Sequence, residues 1–294
     1  MADIIKGKIR MIRGRRGGRY PHCNSLLVDS GPRAVIDPGS DRHELRRLAA
    51  EGVGIVLLTH YHSDHLRDLK EFPGSEVRVH ELEKQAVESW EGMAKLVWFP
   101  DEVRDPTWQK RKLREVGGWG WKVSGTFGHE EEIMIGDEKI EVIHTPGHTP
   151  GHCCFWFPEH KMLHSSDIDL TDFGPWYGNA SSDVDDFLDS IRRLAGLNPE
   201  ITVTGHELGV LEGDITERLY SYAAVIDKRH DMILNYLETP HTLEEIAHQG
   251  FIYGAYYSRD NSTHPQEWRM ARHHLQSAVR RKQVWEEGGI FRLA

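Results

Sequence analysis

At 294 residues, 38% of them hydrophobic, the chain has the length and apolar share of one large globular domain or of a domain with a small appendage. A net charge of −10 speaks against a general nucleic-acid coat, and three Cys (Cys23, Cys153, Cys154) are too few for a disulfide framework. No apolar h-region follows Met1 and no run reaches the roughly 18 apolar residues of a membrane span, so the expected setting is reducing and cytoplasmic, away from membranes.

In chain order, Ile4 to Ile12 alternates as a strand, and the basic run Arg13 to Arg19 reads as a mobile loop. Strands follow over Cys23 to Asp29 and Ala34 to Ile36, with Asp37-Pro38-Gly39 ending the second. Asp41 to Glu51 reads as a helix, with Asp41 as N-cap and Gly52 past its end. The apolar run Gly54 to Leu58 is a buried strand. It delivers Thr59-His60-Tyr61-His62-Ser63-Asp64-His65, where three His and one Asp crowd a strand-to-helix corner. Neutral imidazole and carboxylate are good ligands for zinc and other borderline divalent ions, so this corner is the leading metal-site candidate.

Val77 to His80 is a short strand and Glu81 to Trp90 a helix. Residues 91–125 read as an inserted segment, helical near 106–115, whose Trp98, Trp108, Trp119 and Trp121 either pack on the core or wall a pocket. Glu132 to Ile143 is a hairpin around Gly136-Asp137. Cys153 to Phe157 and Lys161 to His164 form a strand pair. Asp183 to Ala195 is an amphipathic helix with Phe187, Leu188, Ile191 and Leu194 inward. Ile201 to Thr204 is the last core strand. Beyond about residue 211 the pattern becomes helical: Thr216 to Glu238, a short helix with a Thr242/Glu245 capping box, Pro265 to Arg281, and a terminal hairpin over Val284 to Arg292.

His-x-His-x-Asp-His after an apolar strand resembles the signature of the metallo-β-lactamase-fold hydrolases. Three further motifs fit that family in order: Thr145-Pro146-Gly147-His148-Thr149, His164-Ser165-Ser166-Asp167 and Thr204-Gly205-His206. The resemblance covers roughly residues 1–210. It implies an α/β fold, an αββα sandwich over 1–211, with a small, mainly helical, winged-helix-like domain over 212–294. It implies two divalent metal ions, zinc first and iron or manganese as alternatives. His60, His62 and His148 would bind one, Asp64, His65 and His206 the other, and Asp167 would bridge them. A hydroxide between the ions would then be the nucleophile, with Asp64 orienting the water or passing on its proton. Asp37 is expected beside the ligands, and His144 and His152 are expected either to hydrogen-bond around them or simply to pack. His62 stands where the flavo-diiron relatives have Glu, which argues against oxygen reduction.

Within that family, His148-Thr149-Pro150-Gly151-His152 and the Asp37-Pro38-Gly39 turn look most like the glyoxalase II-like group. The implied substrate is a small anionic ester or thioester, such as an acyl-CoA or an acylglutathione. In the residues themselves, Arg15, Arg16 and Arg19 read either as pairing with that charge or as a solvated basic loop, and Trp176 and Tyr177, just after Asp167, either as touching the substrate or as part of a packed turn. The tail resembles the winged-helix-like tail of a family branch that includes the single-strand RNA nuclease β-lactamase-like protein 2, so single-stranded RNA is the alternative substrate. Against it, Glu212 to Ala294 holds ten Lys and Arg against twelve Asp and Glu. A third reading makes the tail a homodimerisation or regulatory module over a vestigial site; the complete ligand set argues against it.

Overall fold

Alternating apolar side chains in two stacks of strands make the centre of the molecule. In the computed structural model, which describes residues 3–102, 106–115, 117–257 and 263–294, the first sheet has seven strands in chain order. They are β1 (Asp3–Lys6), β2 (Ile9–Ile12), β3 (Ser25–Val28), β4 (Ala34–Ile36), β5 (Ile55–Leu58), β6 (Glu76–His80) and β7 (Gly125–Phe127). Pairing is antiparallel from β1 to β4 and parallel from β4 to β7. The second sheet holds β8 (Glu132–Ile135), β9 (Glu138–His144), β10 (Cys153–Phe157), β11 (Met162–Ser166), β12 (Ile201–Thr204) and β13 (Val210–Glu212), antiparallel except for β11 against β12.

Period two divides each strand between two layers. Leu26, Val28, Ile36 and Leu57 meet Ile133, Ile140, Val142, Phe155 and Val203 between the sheets. Leu27, Val35, Val56 and Leu58 point the other way, under α1 (Arg42–Glu51), α2 (Ser63–Leu66), α3 (Lys84–Glu88) and α4 (Trp90–Val97). α5 (Pro106–Glu115) brings Leu113 to the same layer, and Trp119 and Trp121 pack there too. On the far side, α6 (Val184–Ala195) lays its stripe on the second sheet. That apolar cluster continues from Ile143 to Phe291 through α7 (Thr216–Tyr236), α8 (Leu243–Ala247) and α9 (Thr263–Arg280). A last sheet orders β14 (His241–Thr242), β16 (Ile290–Leu293) and β15 (Val284–Glu287). No helix among the described residues is long and apolar enough to cross a membrane.

Most expected elements are present, including Asp41 as N-cap of α1 and the Thr242/Glu245 capping box. Three expectations are corrected. Ile4 to Ile12 is a hairpin rather than one strand, because Gly7 turns the chain at φ 55°. The helix expected over Glu81 to Trp90 breaks at Ser89, which is extended and caps α4 through Gly92 N–H. The basic run contains a turn of 3-10 helix over Arg15–Gly18, anchored by Gly18 N–H on Gly14 O and Gly14 N–H on Asn24 Oδ1. The side chain of Trp108 lies outside the described residues.

Phe187 on α6 is fully buried and packs directly under Gly147, before His148. Truncating it removes a large aromatic contact and leaves a void. Phe187→Ala is therefore expected to lower unfolding free energy by about 3–5 kcal/mol, read as a shifted denaturant midpoint at constant slope.

Candidate metal centre

The loops leaving β5, β9, β11 and β12 open at one edge of the sandwich. Each brings donors that the sequence separates by up to 146 positions but the fold gathers together. His60, His62, His148 and Asp167 place ligand atoms within 4.8 Å of one another; so do Asp64, His65 and His206. His62 Nδ1 is 2.9 Å from both His60 Nε2 and His148 Nε2. Asp167 Oδ2 lies 3.1 Å from His148 Nε2 and 3.9 Å from His60 Nε2. Its other oxygen, Oδ1, lies 3.0 Å from His65 Nε2 and 3.4 Å from His206 Nε2. Asp64 Oδ2 stands 3.4 Å from His206 Nε2. Ligands about 2.0–2.1 Å from a tetrahedral zinc are separated by about 3.3 Å. The donors present fit that spacing.

Every ring is oriented by its other nitrogen. His65 Nδ1–H donates to Asp37 Oδ2 at 2.9 Å, His148 Nδ1–H to Trp176 O at 2.8 Å, and His206 Nδ1–H to Gly18 O at 2.7 Å. His60 Nδ1–H reaches Thr59 Oγ1, whose own hydrogen goes to Asp37. The Asn179 amide contacts His62 Nε2. These partners fix the tautomers so that the remaining lone pairs converge. Burial, seconded by the neighbouring rings, holds His60 and His62 well below the ordinary imidazole range, in the neutral ligating form. Around His65 and His206 burial acts the same way but the carboxylates outweigh it. Asp167 and Asp64 raise His206 to about 10, and Cys23, Asp167, Asp37 and Asp64 raise His65. A cation entering the cluster meets that negative field.

Close packing sets the loops. A Cβ at Gly39 would stand 1.6 Å from Asp64 O, so only glycine lets the 37–39 turn seat the ligand loop. At Gly147, φ is 125° and a Cβ would meet Phe187 Cα at 2.3 Å, which places His148 hard against α6.

Several residues at the centre carry no local sequence signal. Glu83, fully buried, accepts from Tyr61 N–H (3.0 Å), Thr149 Oγ1 (2.9 Å) and Gly151 N–H (2.6 Å), clamping the two His-bearing loops together. Burial pushes its carboxyl up to about 7 against those three donors. Asn179 is held by His273 of α9 through its backbone carbonyl. Of the two residues flanking His148, His152 accepts from Asp167 N–H, kept neutral by burial, whereas His144 stacks on His80 away from the ligands.

The expected substrate contacts divide. The Trp176 ring stands 5.7 Å from His148 and 5.8 Å from His62. Tyr177 does not line the opening: it is fully buried, its hydroxyl bonded to His274 and Arg229. Arg19 pairs with Glu207 at 3.1 Å and Arg15 approaches Asp41 at 4.0 Å, beside the Gly18 carbonyl that orients His206; Arg16 is exposed.

Asp37→Asn keeps the shape but cannot accept from Thr59 N–H, Thr59 Oγ1 and His65 Nδ1–H together. Metal affinity is expected to fall about 10–100-fold, measured by competition with a chelating dye, with the fold retained by circular dichroism.

An αββα sandwich with His and Asp gathered at one edge defines a class of metal-dependent hydrolases. A family model described as the metallo-beta-lactamase superfamily matches residues 19–206, and the chain belongs to that superfamily. Among curated relatives, acyl-coenzyme A thioesterase MBLAC2 of Gallus gallus is 30% identical over 179 residues, covering 58% of this chain and 61% of that protein. The Homo sapiens thioesterase of the same name is 29% identical, covering 58% and 63%. The match thus spans less than two thirds of either thioesterase. Hydroxyacylglutathione hydrolase GloC of Haemophilus influenzae is 30% identical over 203 residues, covering 63% of this chain and 84% of that protein. In fold, a metallo-beta-lactamase family protein from Thermus thermophilus superposes with a TM-score of 0.76 at 21% identity, covering 98% of this chain and 99% of that one. A beta-lactamase domain protein from Burkholderia ambifaria gives 0.75 at 17%, covering 100% and 94%.

Proposed function

We propose that this hydrolase uses two metal ions to cleave a small anionic thioester of the acyl-CoA or acylglutathione type. The observation that carries the metal reading is the division of Asp167, one oxygen toward His60 and His148, the other toward His65 and His206. His60, His62 and His148 would hold one divalent cation, Asp64, His65 and His206 a second, with Asp167 offered to both. Zinc suits this nitrogen and oxygen set, as do iron and manganese. Bound there, the ions supply Lewis-acid polarisation of the scissile carbonyl and a water acidic enough to react near neutral pH.

The chain's own groups do the positioning. Asp64, buried beside His206 at 3.4 Å, is the carboxylate that would orient the attacking water and accept its proton. The Trp176 indole over His62 and His148 keeps bulk water from that side of the acyl group. As the C–S bond breaks, the sulfur leaves as a thiolate that can take up the proton accepted by Asp64. Similarity to the acyl-CoA thioesterases and to the hydroxyacylglutathione hydrolase supports the thioester class.

The test offers metal-loaded protein an acyl-CoA, an S-acylglutathione, a nitrophenyl ester, a bis-phosphodiester and single-stranded RNA. A thioester is expected to exceed the others in kcat/KM by about 10²-fold or more. RNA cleavage that disappears in His62→Ala, without thioester turnover, overturns the reading.

A further inference from the structure

Outside the metal cluster, positive charge gathers in one concavity. Arg42 at the start of α1, Arg67 and Lys70 just past α2, and Arg114 in the last turn of α5 line a cavity of about 200 Å³, together with Glu115, Gly117 and Trp121. Four cations converge there in a chain of net charge −10. Asp68 and Glu71 answer Arg42 at 2.5 and 3.7 Å, and Asp68 lies 3.7 Å from Arg67 Nε. Among the described residues, Lys70 and Arg114 have no carboxylate in ion-pair reach. Arg67 Nε is buried with no hydrogen-bond partner. The aromatic wall is fixed: Trp121 Nε1–H donates to Gly117 O at 2.8 Å, and the Arg114 guanidinium sits 5.5 Å over the Trp119 ring.

Arg67 links this cavity to the metal cluster. Arg67 lies two residues past His65, donates to Pro21 O, and stands 3.5 Å from His22 Nε2. The carbonyl of His22 faces His206 Nδ1 at 3.2 Å. Tyr20, 68% exposed, hydrogen-bonds Ser63 and feels the charges of Asp64 and Arg67. An elongated substrate with its reacting carbonyl at Asp64 crosses Tyr20 to enter the cavity.

The geometry points to this cavity as the seat of a phosphorylated nucleotide at the far end of the thioester. At about 200 Å³ the cavity takes the phosphates, held by Arg67, Lys70 and Arg114, and the base lies at its mouth beside Trp121. Guanidinium forks match phosphate oxygens, ammonium adds a mobile point charge, and an indole face suits a purine. The inference rests on the thioester reading and selects within it an acyl-CoA over an acylglutathione, which carries no phosphate. It also moves the main anion contact away from the Arg15 to Arg19 turn, where Arg15 and Arg19 already face carboxylates.

The experiment uses the full chain and the double variant Lys70→Ala/Arg114→Ala, two residues outside the metal cluster. Adenosine 3′,5′-bisphosphate and inorganic phosphate are titrated calorimetrically, and acyl-CoA is compared with the same acyl group on pantetheine. The bisphosphate is expected to bind the parent protein, and about tenfold or more weakly to the double variant. The variant should raise KM for acyl-CoA by a similar factor and leave acyl-pantetheine unchanged. No bisphosphate binding, binding no tighter than inorganic phosphate, or equal losses on both thioesters overturns the assignment. Bisphosphate binding that needs Lys70 and Arg114, without thioester turnover, supports the nucleotide seat and sinks the thioester reading instead. Acyl-CoA turnover indifferent to the variant does the reverse.

Discussion

Asp167→Ala is expected to lower turnover by about 10³-fold or more and to reduce bound metal from two equivalents to one or fewer. Asp167 presents one oxygen to each donor set, so its loss takes a donor from both at once. It also removes the negative charge that offsets the crowding of four imidazoles around it. Burial would by itself raise the Asp167 carboxyl, yet His206, His65, His148 and His60 hold it well below the usual carboxylate range. The measurement is elemental analysis of the dialysed protein beside initial rates on the preferred thioester. Two retained equivalents and a rate within tenfold of the parent would refute the bridging assignment. Asp167→Asn is the finer probe: the amide keeps the volume but offers one oxygen, so one donor set is expected to survive.

The second large effect is remote from the cluster. Arg229→Met is expected to lose about 2–5 kcal/mol of stability and to weaken metal binding. Arg229, on α7, is 3% exposed. Its guanidinium donates to Pro175 O (2.7 Å), Phe173 O (2.5 Å) and Tyr177 OH (3.2 Å), and sits 4.7 Å over the Phe173 ring. Methionine fills much of the space but leaves two buried carbonyls without a donor. The 173–178 loop then loses its support, and with it the Trp176 carbonyl that orients His148. Thermal melts read the stability loss, and metal competition reads the slackened ligand. A variant as stable as the parent with undiminished metal affinity would show that the loop holds itself.

That second prediction marks the limit of reading along the chain. The α6 stripe, the Gly136-Asp137 hairpin and the capping box at Thr242 were legible because each is a local pattern of spacing within a few residues. The corner from His60 to His65 was legible for the same reason, its four donors lying within six positions. Asn179 touches His62 across 117 positions, and Glu83 reaches Gly151 across 68. Polar residues of that kind look in sequence like any other surface group. Tyr177 shows the converse, since the loop that exposes Trp176 to the site turns its neighbour into the interior.

Strand and helix periods, turns and the chemical identity of the donors could be read along the chain, because period, turn chemistry and ligand type are properties of neighbouring residues. The family resemblance implied Asp167 between two donor sets and Asp37 beside them; the tertiary structure decided which oxygen faces which set, and brought in Asn179 and Glu83 to hold a ring and two loops. It also decided that α7 and α9 of the tail, through Arg229 and His273, brace residues 173–179 beside the site. Those relations depend on distances of about 3 Å between segments far apart in the chain, and only the packing of the two sheets and their covering helices sets such distances.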